Sequence, residues 1–569
     1  MLLLLLLAIL AAPALRAAEG PADLVLTGGS VYTMDAARSW ADAVAVRGGR
    51  IVFVGTEAGA RSWIGPATRV VKLEGRMVLP SFQDAHVHPV SGGVELGQCD
   101  LHDLPTAEAI LEKVGACARE GAGKDWIVGG GWTLSAFPGG APTKEALDAV
   151  TGDKPAYLDS SDGHSAWVNS RALRAGGLAA QTPDPEGGRI DRDPTTRVPT
   201  GTLQESATFL VSRHIPPTPL EERLKGLARA QELFHRLGIT AVQEADAGAG
   251  PAGAGARETL ETYREAERRG ALDLRVVAAL LVEPTRGLEQ VDDLVKWRKE
   301  FSSPRFKPVA AKIFADGVIE THTASMLEPY LDRPGVRGEP NFTPERLNPL
   351  VARLTEAGFN VHVHAIGDRA VRMTLDAFEA ARSKQGDRTL RHQIAHLEVI
   401  HPDDVPRFRA LGVIANFQPL WAYADDYIVD LTWPLLGPER SRWLYPIGSV
   451  ARSGAVLAFG SDWSVSSPNP LEAIEVALTR QAISEPKRPA MLPEEAIDLP
   501  TALAAYTIGS AYAMGDEAET GSLEVGKAAD LVVLSANLFA IPPGRIHEQR
   551  VLLTLFAGQP VYRSPDLAW

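Results

Sequence analysis

Apolar and polar positions alternate between strand-like and helix-like patterns through the middle of the chain. Short runs rich in β-branched residues are separated by amphipathic stretches such as 345–358 and 370–386. Eight runs are predicted to be strands: 77–88, 238–245, 274–282, 308–314, 359–365, 392–398, 413–419 and 455–462. Eight β/α repeats with nearly continuous apolar strands are typical of a closed parallel barrel. The sequence therefore predicts an α/β protein with a distorted (β/α)8 barrel over 79–514.

The two ends of the chain have a different pattern. Residues 22–78 and 515–569 contain short alternating apolar runs separated by glycine-rich turns, which is typical of antiparallel hairpins. We expect both ends to fold together as one small composite β-sandwich. Two independent hairpin caps are the alternative.

The interval 95–220 is far too long for a single connection in a barrel. It contains further strand-like runs at 125–131 and 155–161. We therefore predict an insertion with its own strands that covers the mouth of the barrel.

The first residues predict export. An apolar stretch from Leu2 to Ala12, followed by small residues, is too short to span a bilayer and fits a signal peptide over 1–18. Cleavage after Ala14 or near Ala17 is compatible with the sequence, and an uncleaved anchor or a misplaced start are the alternatives. The mature protein is expected to be periplasmic or secreted, without stable membrane association.

Composition limits the partners. The 569 residues are 45% hydrophobic and 22% charged with a net charge of −14, and they contain no cluster of five lysines or arginines. This argues against nucleic acid as a partner and leaves a small-molecule substrate, while a homo-oligomer remains open. Cys99 and Cys117 are interpreted as two unpaired core residues, with a disulfide as the alternative.

Polar residues that can bind metals stand at or next to the ends of predicted strands. They are His86, His88, His364, His396 and Asp462. The carboxyl ends of parallel barrel strands share one face, so we expect these side chains to converge there. Imidazole and carboxylate groups are ligands of divalent metals such as zinc, which makes a metal site the favoured interpretation. His364 and His396 taken singly are equally compatible with hydrogen-bonded core histidines.

Lys312 is predicted to be buried between apolar neighbours in the fourth strand. A buried ammonium is costly, and a lowered pKa would allow the amine to react with carbon dioxide to form a carbamate. The alternative is a lysine paired with Asp316, Asp462 or another acid.

In combination these motifs resemble the amidohydrolase superfamily, and within it the amidohydrolase-3 subgroup that includes N-substituted formamide deformylase-like enzymes. The resemblance rests on HVHP at 86–89, the segment 162–173, KIFADG at 312–317, HAIGDRAV at 364–371, HLE at 396–398, GSDW at 460–463 and 521–534. It implies that His86, His88 and Asp462 hold one metal and that His364 and His396 hold a second. Carboxylated Lys312 would bridge two zinc ions.

The implied activity is hydrolysis of an amide, N-formyl or cyclic amide carbon–nitrogen bond by a metal-activated hydroxide. Asp462 would transfer protons, and His164, which matches a position of the family, would contact the substrate oxygen; a structural role in the insertion is its alternative. An ester, lactone or phosphoester substrate, or a catalytically impaired binding or regulatory relative, are the alternative functions.

Other residues near these motifs suggest the surroundings of the site. His362 and His392 are expected beside the ligands, and His322 and Asp316 are candidates for facing the site. Aromatic residues after the last two strands suggest an apolar or aromatic substrate group, with packing of a long lid as the alternative: Trp421, Trp433, Trp443, Trp463, Tyr423 and Tyr427. Arginines 189, 192 and 197 could bind a substrate carboxylate or lie in a solvated loop.

Overall fold

The computed structural model describes residues 20–120, 125–185, 187–247, 256–384, 386 and 389–569. The predicted signal peptide at 1–18 lies outside these residues. In the part of the chain that is described, no helix is long and apolar enough to cross a membrane.

The described residues form three sheets and the helices that connect their strands. The strands, numbered along the chain, are β1 Leu24–Tyr32, β2 Trp40–Arg47, β3 Arg50–Gly55, β4 Arg69–Lys72, β5 Met77–Pro80, β6 Phe82–Val87, β7 Cys99–Asp100, β8 Ile127–Trp132, β9 Ala156–Ser160, β10 Ser165–Val168, β11 Gly188–Arg192, β12 Pro199–Glu205, β13 Ile239–Ala247, β14 Arg275–Leu281, β15 Phe306–Phe314, β16 Asn360–Ala365, β17 Gln393–His396, β18 Ile414–Phe417, β19 Leu457–Phe459, β20 Leu531–Leu534, β21 Val551–Phe556 and β22 Gln559–Arg563.

The helices are α1 Glu57–Ala60, α2 Pro89–Glu95, α3 Ala107–Glu120, α4 Lys144–Thr151, α5 Ser170–Ala175, α6 Phe209–Ser212, α7 Leu220–Arg236, α8 Ala256–Arg268, α9 Gln290–Phe301, α10 Pro344–Glu356, α11 Asp368–Ala381, α12 Val405–Leu411, α13 Trp433–Ser441, α14 Ile447–Arg452, α15 Pro470–Thr479, α16 Leu499–Ala504 and α17 Ser510–Met514.

Strands from both chain ends form one sheet, which we call the end sheet. Its order is β22-β21-β20-β5-β1-β2-β3, and β4 also pairs with β1. The first half of β1 pairs with β4 and its second half with β5. Leucines and valines from both chain ends share one apolar core, so the two ends fold together as one unit instead of as two independent hairpin caps.

The barrel is a parallel sheet in the order β6-β13-β14-β15-β16-β17-β18-β19. The (β/α)8 prediction is therefore confirmed, and seven of its strands lie where expected. The predicted first strand at 77–88 is wrong as a single element, because Met77–Pro80 belongs to the end sheet and Phe82–Val87 to the barrel. Between them, Ser81 N donates to Asp530 O of the end sheet and Phe82 N donates to Gly238 O of the barrel.

The segment after β19 closes the barrel against the end of β6. Asp462 N donates to His86 O at 2.7 Å and His88 N donates to Trp463 O at 2.9 Å. The buried Asp84 carboxylate accepts from Ser461 N at 3.1 Å. These bonds hold the first and last predicted ligand segments side by side.

The insertion between α2 and α7 forms a six-stranded sheet in the order β11-β12-β10-β9-β8-β7. The interpretation of Cys99 and Cys117 as unpaired residues is wrong, because they form a disulfide. It connects β7 to α3, since Cys99 and Cys117 lie in these two elements. Trp132 and Trp167 fill the core between this sheet and its helices.

Candidate metal centre

Three side chains from the two closing segments of the barrel converge at its carboxyl face. His88 Nε2 lies 3.0 Å from Asp462 Oδ1, and His86 Nε2 lies 3.4 Å from the same oxygen. Ligand atoms of these three residues all lie within 4.8 Å of one another, and they form the one such group among the described residues. Two imidazoles and a carboxylate fit a divalent cation such as zinc.

The electrostatics of the three side chains are those of a site that attracts a cation. Burial and the charge of Lys312 keep the pKa of His86 well below its usual range, so its ring is neutral. Burial opposes protonation of His88, but Asp462 and Glu244 prevail and raise its pKa to about 10. Burial alone would raise the pKa of Asp462, whereas its contact with His88 lowers it. A proton on His88 therefore competes with a metal for this site.

Lys312, His364 and His396 lie next to this group. Lys312 Nζ is 3.5 Å from His86 Nε2, and the rings of His364 and His396 are 4.5 Å apart. Burial lowers the pKa of Lys312 against the attraction of Asp246, Asp462 and Glu244. Asp316, which the sequence suggested as a partner of Lys312, instead accepts from the backbone N–H groups of Ser325, Ile366 and Gly367.

The hydrogen bonds of His364 and His396 occupy one nitrogen of each imidazole ring and leave its other nitrogen as the candidate metal ligand. His364 Nε2 lies 3.2 Å from the carbonyl oxygen of Gly317, to which it donates. His396 Nδ1 lies 2.9 Å from Gln418 Oε1 and donates to it. The lone pairs are therefore on Nδ1 of His364 and on Nε2 of His396, and burial keeps the pKa of both rings well below normal.

The backbone is strained at two of the predicted ligands. His396 has a φ of 75° and Asp462 a φ of 55°. Residues other than glycine rarely adopt this region of backbone conformation. His396 is the last residue of β17, and Asp462 lies three residues after the end of β19. Such strain is common where a site is preorganised by its surroundings.

His164 enters the same space from the insertion. Its ring lies 5.2 Å from that of His364, and its Nδ1 is 3.0 Å from Glu205 Oε2. Thr323 Oγ1 donates to the other oxygen of Glu205 at 2.7 Å. Burial opposes protonation of His164, but the Glu205 carboxylate prevails and raises its pKa to about 9. The insertion thus contributes an oriented imidazolium to the barrel face.

Sequence reasoning missed several residues of this site. Glu244 and Asp246 lie at the end of β13, where Glu244 Oε1 is 3.6 Å from His88 Nδ1. They follow an apolar run. The rule that polar residues at the ends of predicted strands are candidate ligands, which identified the histidines, would therefore also have found them. Glu205 follows no such rule, since its role depends on how the insertion folds.

A cavity of about 980 Å³ opens over the centre. His164, His364, His396 and Asp462 lie on its wall, together with Trp421, whose ring stacks on His396 at 5.6 Å. Ten acidic residues line it: Glu95, Asp100, Asp103, Asp162, Glu398, Asp425, Asp426, Asp462, Glu472 and Glu485. Among the described residues that form the wall there is no lysine or arginine.

Some residues suggested by the sequence lie elsewhere. Trp433 and Trp443 pack against the barrel core instead of lining the cavity. His392 stacks on Phe378 at the start of β17, away from the ligands, whereas His362 Nε2 is 2.9 Å from His86 Nδ1. His322 pairs with Asp332.

The arginines of the insertion are also engaged elsewhere. Arg189 contacts Asp191 and the Thr321 carbonyl, and Arg192 contacts Asp184. Neither of them, nor Arg197, is among the residues of the cavity wall.

A parallel barrel with a His-His-Asp centre at its carboxyl face defines a metal-dependent hydrolase. The model of the amidohydrolase family matches residues 69–562, and the chain belongs to this family. It is 33% identical to Protein LONG AFTER FAR-RED 3 of Arabidopsis thaliana, over 91% of this chain and 88% of that protein. It is 29% identical to N-substituted formamide deformylase of Arthrobacter pascens, over 94% of this chain and 97% of that protein.

A solved structure supports the same assignment. An uncharacterized metal-dependent hydrolase from Pyrococcus horikoshii matches with a TM-score of 0.72 and 25% identity, covering 92% of this chain and 99% of that chain. The match over nearly the whole of both chains supports the barrel fold, and the family and this neighbour support dependence on a divalent metal.

Proposed function

We propose that this protein hydrolyses a carbon–nitrogen bond of an amide, an N-formyl amine or a cyclic amide. The observation that carries the proposal is the convergence of His86, His88 and Asp462 beneath a cavity that also contains His164. Similarity to a deformylase over nearly the whole chain supports an amide rather than an ester or phosphoester.

A bound cation would supply an activated water and a polarised carbonyl group. Asp462 is the base that takes the proton from the attacking water and returns it to the leaving nitrogen, because its lowered pKa keeps it ionised. His164 faces Glu205 through Nδ1, so Nε2–H is the group that donates to the substrate oxygen.

The cavity wall suggests which substrates are accepted. Acidic side chains without any arginine or lysine among the described wall residues disfavour a substrate carboxylate and favour a neutral or cationic molecule. The half-buried Trp421 on the cavity wall near the centre is suited to an apolar or aromatic group.

Assays of the purified protein test the reaction. We expect turnover of N-formyl amines or cyclic amides that stops on removal of metal by a chelator and returns on addition of Zn²⁺. Esters, lactones and phosphotriesters form the comparison panel. Faster turnover of any of these than of every amide would contradict the proposed bond type, and no turnover by metal-loaded protein would favour a binding or regulatory role.

Two variants test the assigned residues. Asp462→Asn should lower kcat at least about 100-fold, because it removes the base. His164→Gln should lower kcat by about 100-fold through loss of the oxygen contact. Asp403→Asn and His214→Gln are matched controls on the surface and should leave kcat unchanged. Full activity of Asp462→Asn would disprove its role.

We further propose two zinc ions bridged by carboxylated Lys312. The amine would add to carbon dioxide with release of one proton, and burial lowers its pKa in the direction this reaction needs. Metal analysis should give about two equivalents per chain. Lys312→Ala should lose one of them and regain activity with added short carboxylates, whereas full metal content in Lys312→Ala would contradict the bridge.

Export is proposed from residues 1–18 and from the Cys99–Cys117 disulfide. Disulfides persist in oxidising compartments and are rare in the cytosol. Fractionation of the cells that make this protein, with intact-mass measurement of the mature chain, would test it. A full-length chain found only in the cytosol would contradict export.

A further inference from the structure

A row of buried carboxamides crosses the inside of the barrel directly beneath the candidate centre. We call Gln243, Gln393, Asn416 and Gln418 the carboxamide row. Their side chains are at most 1% exposed, so they do not bond to solvent. Gln243 lies in β13, Gln393 in β17 and Asn416 in β18, and Gln418 directly follows β18. Barrel interiors are usually filled by aliphatic side chains, so a polar layer at this level is unusual.

The row connects two of the predicted metal ligands. Gln418 bonds to Asn416 at 3.3 Å, Asn416 to Gln393 at 2.9 Å, and Gln393 to Gln243 at 2.9 Å. At one end, Gln418 Oε1 meets His396 Nδ1 at 2.9 Å. At the other end, Gln243 contacts His362 Nδ1, and His362 Nε2 meets His86 Nδ1 at 2.9 Å. The hydrogen bonds thus run without a break from His396 to His86.

A backbone carbonyl sets the direction of this row. Asn416 Nδ2 lies 2.9 Å from the carbonyl oxygen of Ala85, which only accepts, so the nitrogen of the amide must face that way. The same nitrogen donates to Gln393, and Asn416 Oδ1 therefore accepts from Gln418 Nε2. Gln418 is left with its oxygen facing His396, whose ring must then carry its proton on Nδ1. At the other end the same direction makes His362 Nε2 donate to His86 Nδ1, so the neutral His86 ring carries its proton on Nε2 and would release it when a metal binds there.

We propose that the carboxamide row is a positioning device that fixes the tautomer and orientation of His396, so that Nε2 keeps a free lone pair for the metal. The inference rests on the proposed metal site and goes beyond it by assigning a role to residues that do not touch the metal or the substrate. A fully bonded buried network is rigid, and breaking it leaves unpaired polar groups. Outer partners of metal-binding histidines commonly set metal affinity in this way.

The experiment uses the full chain with Zn²⁺ as the probe and compares four variants. Gln418→Leu removes the acceptor for His396, and Gln393→Leu interrupts the row without contacting His396. Gln418→Glu keeps an acceptor at the same place and serves as the conservative variant. Gln83→Leu is the matched control, because Gln83 is a buried carboxamide of β6 that bonds Thr520 outside the row.

Two measurements decide the proposal. Competition with a chromogenic chelator gives Zn²⁺ affinity, and ¹⁵N NMR of histidine-labelled, metal-free protein reports the tautomer of His396, assigned with His396→Gln. We expect the Nδ1–H form in the native protein. Gln418→Leu and Gln393→Leu should bind Zn²⁺ about 10- to 100-fold more weakly and lose the single tautomer, whereas Gln418→Glu should retain both properties.

Other results would overturn the proposal. Unchanged affinity and tautomer in Gln393→Leu would show that the row does not act as a unit, and equal losses in Gln83→Leu would reduce its role to general stability. Failure of the native protein to bind Zn²⁺ would refute the metal site instead. In that case the NMR measurement on metal-free protein would still decide whether the row sets the tautomer of His396.

Discussion

At the scale of single residues, the histidines of this protein differ because their surroundings differ. Glu205 beside His164 raises the pKa of one ring, while burial lowers the pKa of others such as His364 and His396. A neutral buried ring can offer a lone pair to a cation, and a protonated ring can donate to an oxygen. The same residue type therefore supplies two kinds of chemistry within one cavity.

His392 shows the effect of burial away from the centre. Burial lowers its pKa to about 4, and Val361 N donates to its Nδ1 at 3.1 Å. Unfolded His392 binds a proton below its usual pKa of about 6.5, so its contribution to stability is lost as the pH falls from about 6.5 towards 4.

We expect His392→Gln to remove this pH dependence. Between pH 7 and pH 5 the free energy of unfolding of the native protein should fall by about 2 kcal/mol more than that of the variant. Denaturant titrations of both proteins at the two pH values measure the difference. An equal fall in both proteins would show that His392 does not titrate as its burial implies.

Residue-level prediction from the sequence was effective where one rule applied. Polar residues after apolar runs led to His86, His88 and Asp462, which the structure brings together. The row beneath them could not be predicted, since buried glutamines in strands have no spacing that reveals their partners. The cysteines were misjudged for a similar reason, because a disulfide depends on the distance between two elements.

At the scale of elements, the segment after β18 lines the cavity with residues between Leu420 and Ile428, and it is joined to the insertion and to the loop after β15. Tyr427 Oη lies 3.2 Å from Asp162 Oδ2 and 3.2 Å from Glu320 Oε2. Burial raises the pKa of Glu320 to about 7. One tyrosine thus connects three parts of the chain at the cavity wall.

Tyr427→Phe should loosen this segment. The loss of about 1 kcal/mol of hydrogen bonding should increase hydrogen–deuterium exchange of residues 425–435 about fivefold. Tyr423→Phe, which changes another wall residue of the same segment, is the control and should exchange like the native protein. Unchanged exchange in Tyr427→Phe would show that apolar packing alone holds the segment.

The division of elements between domains was harder to predict than their existence. Residues 77–88 form one apolar pattern, yet Pro80 ends a strand of the end sheet and Phe82 begins one of the barrel. Periodicity identifies a strand but contains no information about which sheet it joins. The other barrel strands were predictable because helices separate them.

At the scale of the whole molecule, a buried ion pair connects the barrel to the end sheet. Arg275 of β14 contacts Asp530, which precedes β20, at 2.8 Å, and the Asp530 side chain is 2% exposed. Asp530 also accepts from the backbone of Ala557 and, through its carbonyl, bonds Ser81 N. Asp530 therefore joins the two domains through both its carboxylate and its backbone, beside other contacts such as the bond from Thr554 Oγ1 to the His235 carbonyl.

Arg275→Met should destabilise the protein by about 3 kcal/mol, because it leaves that buried carboxylate without its cation. Arg550→Met is the matched control, since its pair with Asp566 is exposed on both sides and is worth at most about 1 kcal/mol. Thermal unfolding at constant pH compares the two. Equal losses would mean that the junction is held by packing instead of charge.

The pairing of β5 with β20 has a consequence for synthesis. The two strands lie on opposite sides of the whole barrel in the sequence. One edge of β5 pairs with β1, but its other edge has no partner until the ribosome has made nearly the entire chain. At about 5–20 residues per second this interval lasts on the order of a minute. During it the amino-terminal strands expose open edges, and a chain that stalls before β20 is expected to aggregate or to need a chaperone.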